Sequence, residues 1–516
     1  MLKEFIEIDA PQVEPFAGSG VVFGSSSSSS SSSSDIVAPE EESKDETSDL
    51  IEEKENEDRT VDFSSSTKDS STKDSSTKDS STKDSDDTVT KDSSKLLSTT
   101  IEYRFRLLQS LNKCMAVSLS FVDFCTVNKP WTLGALVSAC RGLIFHAVKT
   151  PLWDQLLSDS GKSDGSQFDL RLARIQAIKF SRTGQVDNEA RHMCFSQAFR
   201  VMHIMSPSAL RRTDQLYTTF FLGEYAQDVG GPYRESFVTY TMELQSPALP
   251  LLIRTPNGRH AVGQNRDKYV LNPGATTLLH QEMFAFLGKL MGIAIRSKEY
   301  LALNIAPIIW KILVNEVPTT EDLEAIDSSH QKSIRSMRTI EKQGIDADTF
   351  SYSFFETFTT LSIDDRVVEL VPDGSNKTVT FDNRIEWCEY VDNYRLHAFD
   401  RQAASLRSGL AQIIPAKFLS MFTWDQLEMM VCGKSEVDIE LLKSITEYSS
   451  CRATDPHVEH FWNALREFNT EERSALIRFT WGRSRLPLNA QGFTQRFKLQ
   501  SFNRSPADQY LPVAHT

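Results

Sequence analysis

The sequence predicts an α+β protein that is mainly helical, carries small sheets and follows a long disordered tail. Three observations predict it. Apolar residues recur at helical spacing in many segments after residue 100, short runs rich in β-branched and aromatic residues lie between them, and the first hundred residues are of low complexity. At 516 residues, the chain has room for roughly two to four domains.

Residues 1–97 form the predicted acidic, Ser-rich disordered tail. Ten consecutive serines run from Ser25 to Ser34, and Ser-Ser-Thr-Lys-Asp repeats up to Asp84. Such a segment buries too little apolar surface to offset a backbone ordering cost of about 1–2 kcal/mol per residue. It is either a spacer or a phosphorylated, partner-binding tail, and both interpretations stay open.

The formal net charge of −14 belongs to this tail. Residues 1–100 contain 10 Lys and Arg against 24 Asp and Glu, whereas residues 101–516 contain 46 of each. A domain that grips nucleic acid needs a net basic face, so the balance gives no support for a nucleic-acid partner.

The seven cysteines are few and widely spaced, with no C-x-x-C pair, which is typical of a reducing compartment. The acidic N-terminus does not resemble a signal peptide, and no apolar run approaches the ~20 residues that span a bilayer. We therefore expect a cytoplasmic protein without a transmembrane segment. His457 and His460 have a spacing that metal ligands use, but no further His or Cys cluster joins them. We expect neither a metal nor a cofactor.

Residues 98–194 are predicted to be a helical support region without chemistry of its own. Helices are expected at Trp131–Val148 and Phe168–Phe180, where apolar residues recur every three to four positions. Beyond this region another helix opens at Phe195, and the β-rich run Leu216–Leu222 predicts a strand.

Two glycine patterns follow. Gly230 and Gly231 allow a tight chain reversal, and the string Asp-Val-Gly-Gly-Pro-Tyr-Arg-Glu at 228–235 then opens a helix. Gly288 and Gly292 lie one turn apart on an apolar helix. Because each glycine costs a helix ~1 kcal/mol, this pair predicts the close approach of another element in a buried core.

The segment 319–385 is more polar and rich in turns. We expect a helix at Glu321–Thr339, a strand at Phe350–Phe355 and, after a hairpin turn, a strand at Lys377–Phe381. Its apolar side chains are candidates for a small core of this segment. The residues concerned are Ile334, Met337, Ile340, Phe350, Tyr352 and Phe354.

The last part of the chain is again helical. Helices are expected at Asn383–Leu410 and Trp424–Cys432, and Phe497–Phe502 alternates like a half-buried strand. Cys432 lies in an apolar run, where burial makes a thiol inert, so we interpret it and Cys451 as structural.

Five strings, taken in order, resemble the landmarks of the HECT ubiquitin-ligase family. They are the Gly-Gly string at 228–235, the glycine-notched helix at 284–294, the helix ending in Cys-Gly at 424–433, the Gly-Arg-Ser-Arg-Leu-Pro corner at 482–487, and Leu-Pro-Val-Ala-His-Thr at 511–516. The first string, with the Ser-rich tail upstream, is most similar to the C-terminal part of the giant HERC branch.

The resemblance implies a bilobal HECT domain, with a mainly helical N-lobe that has small sheets and an incomplete α/β C-lobe. The implied parts are an N-lobe at 195–432 that contains a subdomain for the ubiquitin-conjugating enzyme at 319–385, a hinge at Gly433, Lys434 and Ser435, and a C-lobe at 436–516. The resemblance makes the six apolar residues named above candidate contacts of the conjugating enzyme, in a groove of this subdomain. They either line that groove or fill the core of the subdomain, and the sequence leaves this open for each of them.

In this family a cysteine accepts ubiquitin from the conjugating enzyme as a thioester and passes it to a substrate lysine, so ubiquitin, conjugating enzyme and a protein substrate are the implied partners. Leu-Pro-x-x-His-Thr is followed there at once by that cysteine, whereas this sequence stops at Thr516. We therefore expect no thioester on the chain as given, with His515 and Thr516 as loop residues beside the missing nucleophile. We also expect poor packing after about Ser501, because a closing strand is missing. The alternative is an inactive module that still binds the conjugating enzyme.

Overall fold

The computed structural model describes most of the chain from Asp86 onward. The described residues are 86–161, 165–224, 228, 230–483, 485–487, 489–493, 495–501, 506, 511, 513 and 514. Most of the predicted tail, the loop residues His515 and Thr516, and most positions after Ser501 therefore lie outside the described residues. The chain divides between Tyr103 and Arg104 into two compact units, and the elements below belong to the second, apart from the start of the first helix.

Eighteen α-helices lie within the described residues. They are α1 (Asp86–Ser118), α2 (Leu133–Ala139), α3 (His146–Asp159), α4 (Arg174–Ser181), α5 (Cys194–Met202), α6 (Gly231–Leu244), α7 (Pro256–Arg259), α8 (Leu278–Ser297), α9 (Pro307–Leu313), α10 (Thr320–Ile326), α11 (Ser328–Arg338), α12 (Ala347–Ser353), α13 (Arg384–Leu396), α14 (Asp400–Ile413), α15 (Trp424–Cys432), α16 (Ile439–Ser444), α17 (Pro456–Glu467) and α18 (Thr470–Trp481).

The strands of the described residues form four two-stranded sheets. The parallel pairs are β1 (Phe168–Leu172) with β2 (Tyr217–Phe221) and β7 (Thr446–Ser449) with β8 (Phe497–Gln500), and the antiparallel pairs are β3 (Leu252–Arg254) with β4 (Tyr269–Leu271) and β5 (Thr359–Leu361) with β6 (Val367–Glu369). The predicted α+β class, mainly helical with small sheets, is confirmed, as are the strands expected at Leu216–Leu222 and Phe497–Phe502.

Two predictions of strand and helix type were wrong. Phe168–Leu172 is strand β1 rather than the start of a helix, because Leu170 and Leu172 alternate into the core and the segment pairs in parallel with β2. Phe350 lies in helix α12 rather than in a strand. Asp346 and Thr349 form a capping box there. The side chain of each residue accepts a hydrogen bond from the backbone N–H of the other, and this arrangement starts a helix.

Other predicted elements have the right type but the wrong length. The helix expected at Trp131–Val148 is interrupted by the 3-10 turn Arg141–Leu143, the one at Glu321–Thr339 breaks at Asp327, and the one at Asn383–Leu410 breaks between α13 and α14. The strand expected at Lys377–Phe381 is reduced to a single bridge between Thr357 and Thr378.

Helix α8 is the centre of the largest core, and it crosses α14 with the two backbones in contact. A Cβ added at Gly288 would lie 1.9 Å from the carbonyl oxygen of Leu406, and one added at Gly409 would lie 1.7 Å from that of Ala285. A Cβ added at Gly292 would lie 2.6 Å from the Cβ of Ile413. The close approach predicted from the paired glycines of α8 is therefore confirmed, and a third glycine on α14 completes it.

By length and composition, α8 is the one helix of the described residues that could cross a membrane. Every residue from Met283 to Ser297 is buried by surrounding protein. The helix therefore serves here as a core helix, as its glycines and Lys289 predicted.

Buried apolar side chains form three separate clusters. The largest runs from Met115 to Cys432, so the support region and the large part of the N-lobe share one core. The second contains apolar residues of α11–α13 together with Phe358 and Val379, which lie outside the β5–β6 hairpin. The third, from Val437 to Phe497, lies within the predicted C-lobe, where Trp481 packs against Phe497 of β8.

We predict that Gly409→Ala destabilises the protein although alanine is the better helix former. Helix propensity alone would stabilise α14 by about 1 kcal/mol, whereas the clash with the backbone of α8 costs about 1–3 kcal/mol or more. The midpoint of thermal unfolding should fall. Gly142→Ala is the matched control, because nothing lies within 4 Å of a Cβ there, and an equal fall in both variants would contradict the close contact.

Candidate functional site

An apolar groove of about 690 Å³ opens between α11 and the β5–β6 hairpin. Ile334 and Met337 of α11, one turn apart, contribute to its lining, and so does Ile340 in the following 3-10 turn. The hairpin contributes Leu361 and Val367. The groove therefore lies inside the segment 319–385.

The six predicted contact residues do not all lie at the groove surface. Ile334, Met337, Ile340 and Phe354 line the groove, although the first three are 1–6% exposed and mainly fill the small core beneath it. Phe350 is 1% exposed and stacks on Phe354 with ring centroids 5.1 Å apart. Tyr352, on the opposite face of α12, is 83% exposed. Ile334, Met337 and Ile340 therefore both fill the small core and line the groove, whereas Phe350 and Tyr352 do not line it.

Besides Tyr352, three apolar side chains of this segment that were not among the six predicted contacts are exposed to solvent. Leu361 is 50% exposed, Val367 is 70% exposed, and Phe355 is 80% exposed. Leu361 and Val367 were missed because the hairpin was expected elsewhere, and Phe355 was expected only as the last residue of a strand. The signal was present in the β-branched runs Thr-Thr-Leu and Val-Val-Glu on either side of an Asp-Asp turn, where Asp365 has a φ of 63°.

A buried polar network holds the groove subdomain against the rest of the N-lobe. Arg395 of α13 forms an ion pair with Asp327, the N-cap of α11, and also donates to the carbonyl oxygen of Leu361 at 3.1 Å. Asp392 accepts from Gln331 at 3.1 Å and from Arg338 at 2.8 Å. Because each carboxylate is paired and hydrogen-bonded, burial does not leave an uncompensated charge.

His330 lies beside this network and lines the groove. Its burial, together with the positive charge of Arg395, lowers the pKa of the imidazole to about 4. The ring is therefore neutral at pH 7.

The predicted hinge begins where α15 ends. Gly433 has a φ of 66°, a left-handed value that glycine adopts without strain, and its amide still caps α15 by donating to Met429 O. The next amide, that of Lys434, donates to Leu486 O of the C-lobe corner at 3.0 Å. The hinge segment is thus tied to the C-lobe by a backbone hydrogen bond.

The seven cysteines occupy two kinds of environment. Cys140, Cys194, Cys388 and Cys432 are buried, and burial raises the pKa of each thiol, to about 11 for Cys388 and about 12 for Cys432. Cys451 is half-buried and its Sγ lies 3.5 Å from Leu499 O, while Cys114 and Cys125 are exposed. The prediction that Cys432 is an inert structural thiol is confirmed in its burial and its pKa.

The histidine pair that was considered as a metal site has no further ligand. His457 lies 3.3 Å from the hydroxyl of Ser501, and no group of three His, Cys, Asp or Glu side chains suited to a metal occurs in the part of the chain that the structure describes.

Comparison with known proteins adds independent information. A family model described as HECT-domain (ubiquitin-transferase) matches residues 238–516. The chain is 37% identical to the E3 ubiquitin-protein ligase HERC2 of Mus musculus over 351 residues, which is 67% of this chain and 7% of that protein. It is 36% identical to HERC2 of Homo sapiens over the same length.

A further similarity is to the probable E3 ubiquitin-protein ligase HECTD4 of Homo sapiens, at 28% identity over 76% of this chain and 10% of that protein. The chain therefore spans a small part of the length of these relatives. The predicted resemblance to the HERC branch is confirmed by the two HERC2 proteins.

We predict that a thiol reagent divides the cysteines of the native protein into two classes. Cys114 and Cys125 should react rapidly, and the four buried cysteines only after unfolding, because thiolate formation and access are both suppressed by burial. Peptide mapping after timed alkylation measures each site. Rapid labelling of Cys432 in the folded protein would show that its environment is not the closed one described.

Proposed function

Because the chain belongs to the HECT-domain (ubiquitin-transferase) family, we propose that it takes part in moving ubiquitin from a conjugating enzyme to lysines of a protein substrate. The family match over residues 238–516 supports this role, and so does the presence of a groove subdomain, a glycine hinge and a separate C-lobe core in one chain. We propose the cytoplasm as its location.

The single observation that carries the proposal is the accessible apolar surface of the groove subdomain. Tyr352, Phe355, Leu361 and Val367 are each at least half exposed. An exposed group of large apolar side chains costs solubility without any gain in stability, so it indicates a binding surface. Aromatic side chains of this kind supply much of the binding free energy at protein interfaces. We propose that the conjugating enzyme docks here, with the more buried Ile334 and Met337 supporting the contact from below.

In the proposed reaction the hinge at 433–435 lets the C-lobe approach first the docked conjugating enzyme and then the substrate. Glycine at position 433 suits this role because it tolerates large changes in φ and ψ. Bringing the two reacting partners together supplies the proximity contribution to catalysis. Each carbonyl transfer passes through a tetrahedral oxyanion, which the polar loop residues His515 and Thr516 are proposed to flank.

The chemistry of the proposed reaction needs a reactive cysteine, and the seven cysteines of this sequence do not fit that role. Four have raised thiol pKa values. Cys114 and Cys125 lie outside the matched family region, and Cys451 is half-buried against Leu499. A HECT nucleophile must be a thiolate that both partners can reach. We therefore propose that the 516-residue polypeptide by itself forms no ubiquitin thioester.

This observation also favours a second candidate function, that of a binding module which docks the conjugating enzyme without turnover. The two candidates differ in one sequence feature. A transcript that continues past codon 516 with a cysteine codon supports the enzyme, and a stop codon supports the module.

We predict that Val367→Asp weakens binding of a ubiquitin-conjugating enzyme about tenfold or more, since a central interface contact is worth roughly 1–2 kcal/mol or more. Isothermal titration with purified conjugating enzymes measures the change. Ile204→Asp is the matched control, because Ile204 is β-branched and 84% exposed but does not line the groove. Equal affinities of the two variants for the conjugating enzyme would show that the groove is not its docking site.

We predict that incubation of the 516-residue chain with activating enzyme, charged conjugating enzyme and ubiquitin gives no thiol-sensitive ubiquitin adduct. Non-reducing electrophoresis detects such an adduct as a band that disappears with reductant. An adduct that is lost on substituting one of the seven cysteines would identify that cysteine as a nucleophile and overturn the assignment above.

A further inference from the structure

The contact between the C-lobe and the rest of the protein is built on two shared carboxylates. Glu299, just after α8, accepts from Nε of Arg234 at 3.0 Å and lies 3.4 Å from Nη2 of Arg483 in the C-lobe corner. We call these three residues the Glu299 triad. Glu235 lies 3.2 Å from Nη1 of Arg174 and 3.1 Å from Nη2 of Arg478 on α18.

Burial distinguishes the triad from ordinary surface ion pairs. The side chains of Arg234, Glu299 and Arg483 are 11%, 9% and 7% exposed. Surface pairs contribute little because water and salt screen them, whereas a pair at this depth is screened much less. The guanidinium of Arg483 also lies 5.7 Å from the ring centroid of Trp481, which fixes its direction further.

The local backbone aims these arginines at the N-lobe. Gly482 ends α18 with a φ of 67°, and a Cβ there would lie 3.3 Å from the carbonyl oxygen of Gly231. The chain therefore turns directly against the start of α6, where Arg234 and Glu235 are neighbours in sequence. The next described arginine, Arg485, donates to Asn304 Oδ1 at 2.6 Å.

The sharing of Glu299 and Glu235 suits a reversible contact between the C-lobe and the rest of the protein. Each carboxylate is shared by one arginine from the C-lobe and one from outside it, Arg234 for Glu299 and Arg174 for Glu235. When the lobes separate, each carboxylate keeps its own arginine, so no buried carboxylate is left unpaired. Separation therefore avoids the large penalty of an isolated buried charge, while docking gains a second charge-assisted hydrogen bond at each site.

We propose that the Glu299 triad, reinforced by Glu235 and Arg478, is an interlobe latch that holds the C-lobe in this orientation and must open before the C-lobe turns about residues 433–435. Arg234, Glu299 and Arg483 act as positioning residues for the C-lobe. The Gly-Gly-Pro-Tyr-Arg-Glu string thereby receives a role as the docking site of the last helix. The turning of the C-lobe rests on the proposed function, whereas the docking contact itself rests on the residues of the triad.

Hydrogen exchange at the Lys434 amide tests the latch, because that amide donates to Leu486 O of the C-lobe corner and we expect this bond to open when the corner leaves Glu299. Exchange is followed by mass spectrometry of the 516-residue chain, in peptides that cover the hinge, α8 and α17. In Arg483→Gln we expect exchange at Lys434 to rise about tenfold, with α8 and α17 unchanged. Arg478→Gln, at a partly exposed position, should give a smaller rise.

The matched control is Arg466→Gln. Arg466 pairs with Glu440 at 3.1 Å within the C-lobe, so the same chemical change is made in the same lobe without touching the interface. Exchange at Lys434 should not change there. The double variant with Glu299→Arg and Arg483→Glu swaps the two charges and so retains two arginines and one carboxylate in the triad. It should restore slow hydrogen exchange at Lys434.

Two results would overturn the latch. One is unchanged exchange at Lys434 in both Arg483→Gln and Arg478→Gln. The other is faster exchange throughout α17 as well, which would make Arg483 a stabiliser of the C-lobe itself. The measurement involves no ubiquitin and no conjugating enzyme, so either result leaves the proposed transfer to be judged by its own experiments.

Discussion

The backbone contact between α8 and α14 is the constraint on which the positions of the groove and of the predicted hinge depend. Glycines at 288 and 409 let the two helices approach until each backbone touches the other. The end of α8 leads directly to Glu299 and Tyr300, which contact the C-lobe corner and the hinge glycine. The start of α14 follows α13, whose Arg395 and Asp392 hold the groove subdomain. One helix pair therefore sets the placement of groove and hinge together.

The two regions are attached to this scaffold by different electrostatic arrangements. The groove subdomain is held by the ion pair of Arg395 and Asp327, both of which lie outside the C-lobe. Asp327 also accepts from the backbone amide of His330, and Arg395 donates to the carbonyl oxygen of Leu361. The C-lobe is held by carboxylates that it shares with arginines outside it. A fully satisfied buried pair fixes a position, whereas a shared carboxylate can release one partner and stay paired. This difference matches a subdomain that presents a surface and a lobe that is proposed to turn.

Local signals in the sequence predicted much of this arrangement. The glycine pair of α8 predicted the close helix contact, because that contact depends on the absence of a Cβ. At Gly433 the sequence predicted only a segment that tolerates large changes in φ and ψ, and the left-handed φ there comes from the structure. The residues that contact these glycines could not be predicted in this way. Leu406 comes close to Gly288, and Leu486 comes close to Gly433, only through the fold and across long stretches of chain.

The errors have similar causes. The apolar residues of Phe168–Leu172 fit both helical and alternating spacing, and the parallel partner β2 that decides between them lies far along the chain. In the groove subdomain, the aromatic run near Phe350 favoured a strand, but the capping box at Asp346 was the stronger local signal. With the strand misplaced, the hairpin that carries Leu361 and Val367 was not expected, and the most accessible groove residues were missed.

The central claim is that the groove subdomain is the docking surface for a ubiquitin-conjugating enzyme. It is tested most directly by hydrogen exchange of the 516-residue chain with and without a saturating conjugating enzyme. The account predicts slower exchange in peptides that cover residues 350–368, with exchange in α8 and α14 unchanged. Slower exchange confined to another surface, or none at saturation, would contradict it.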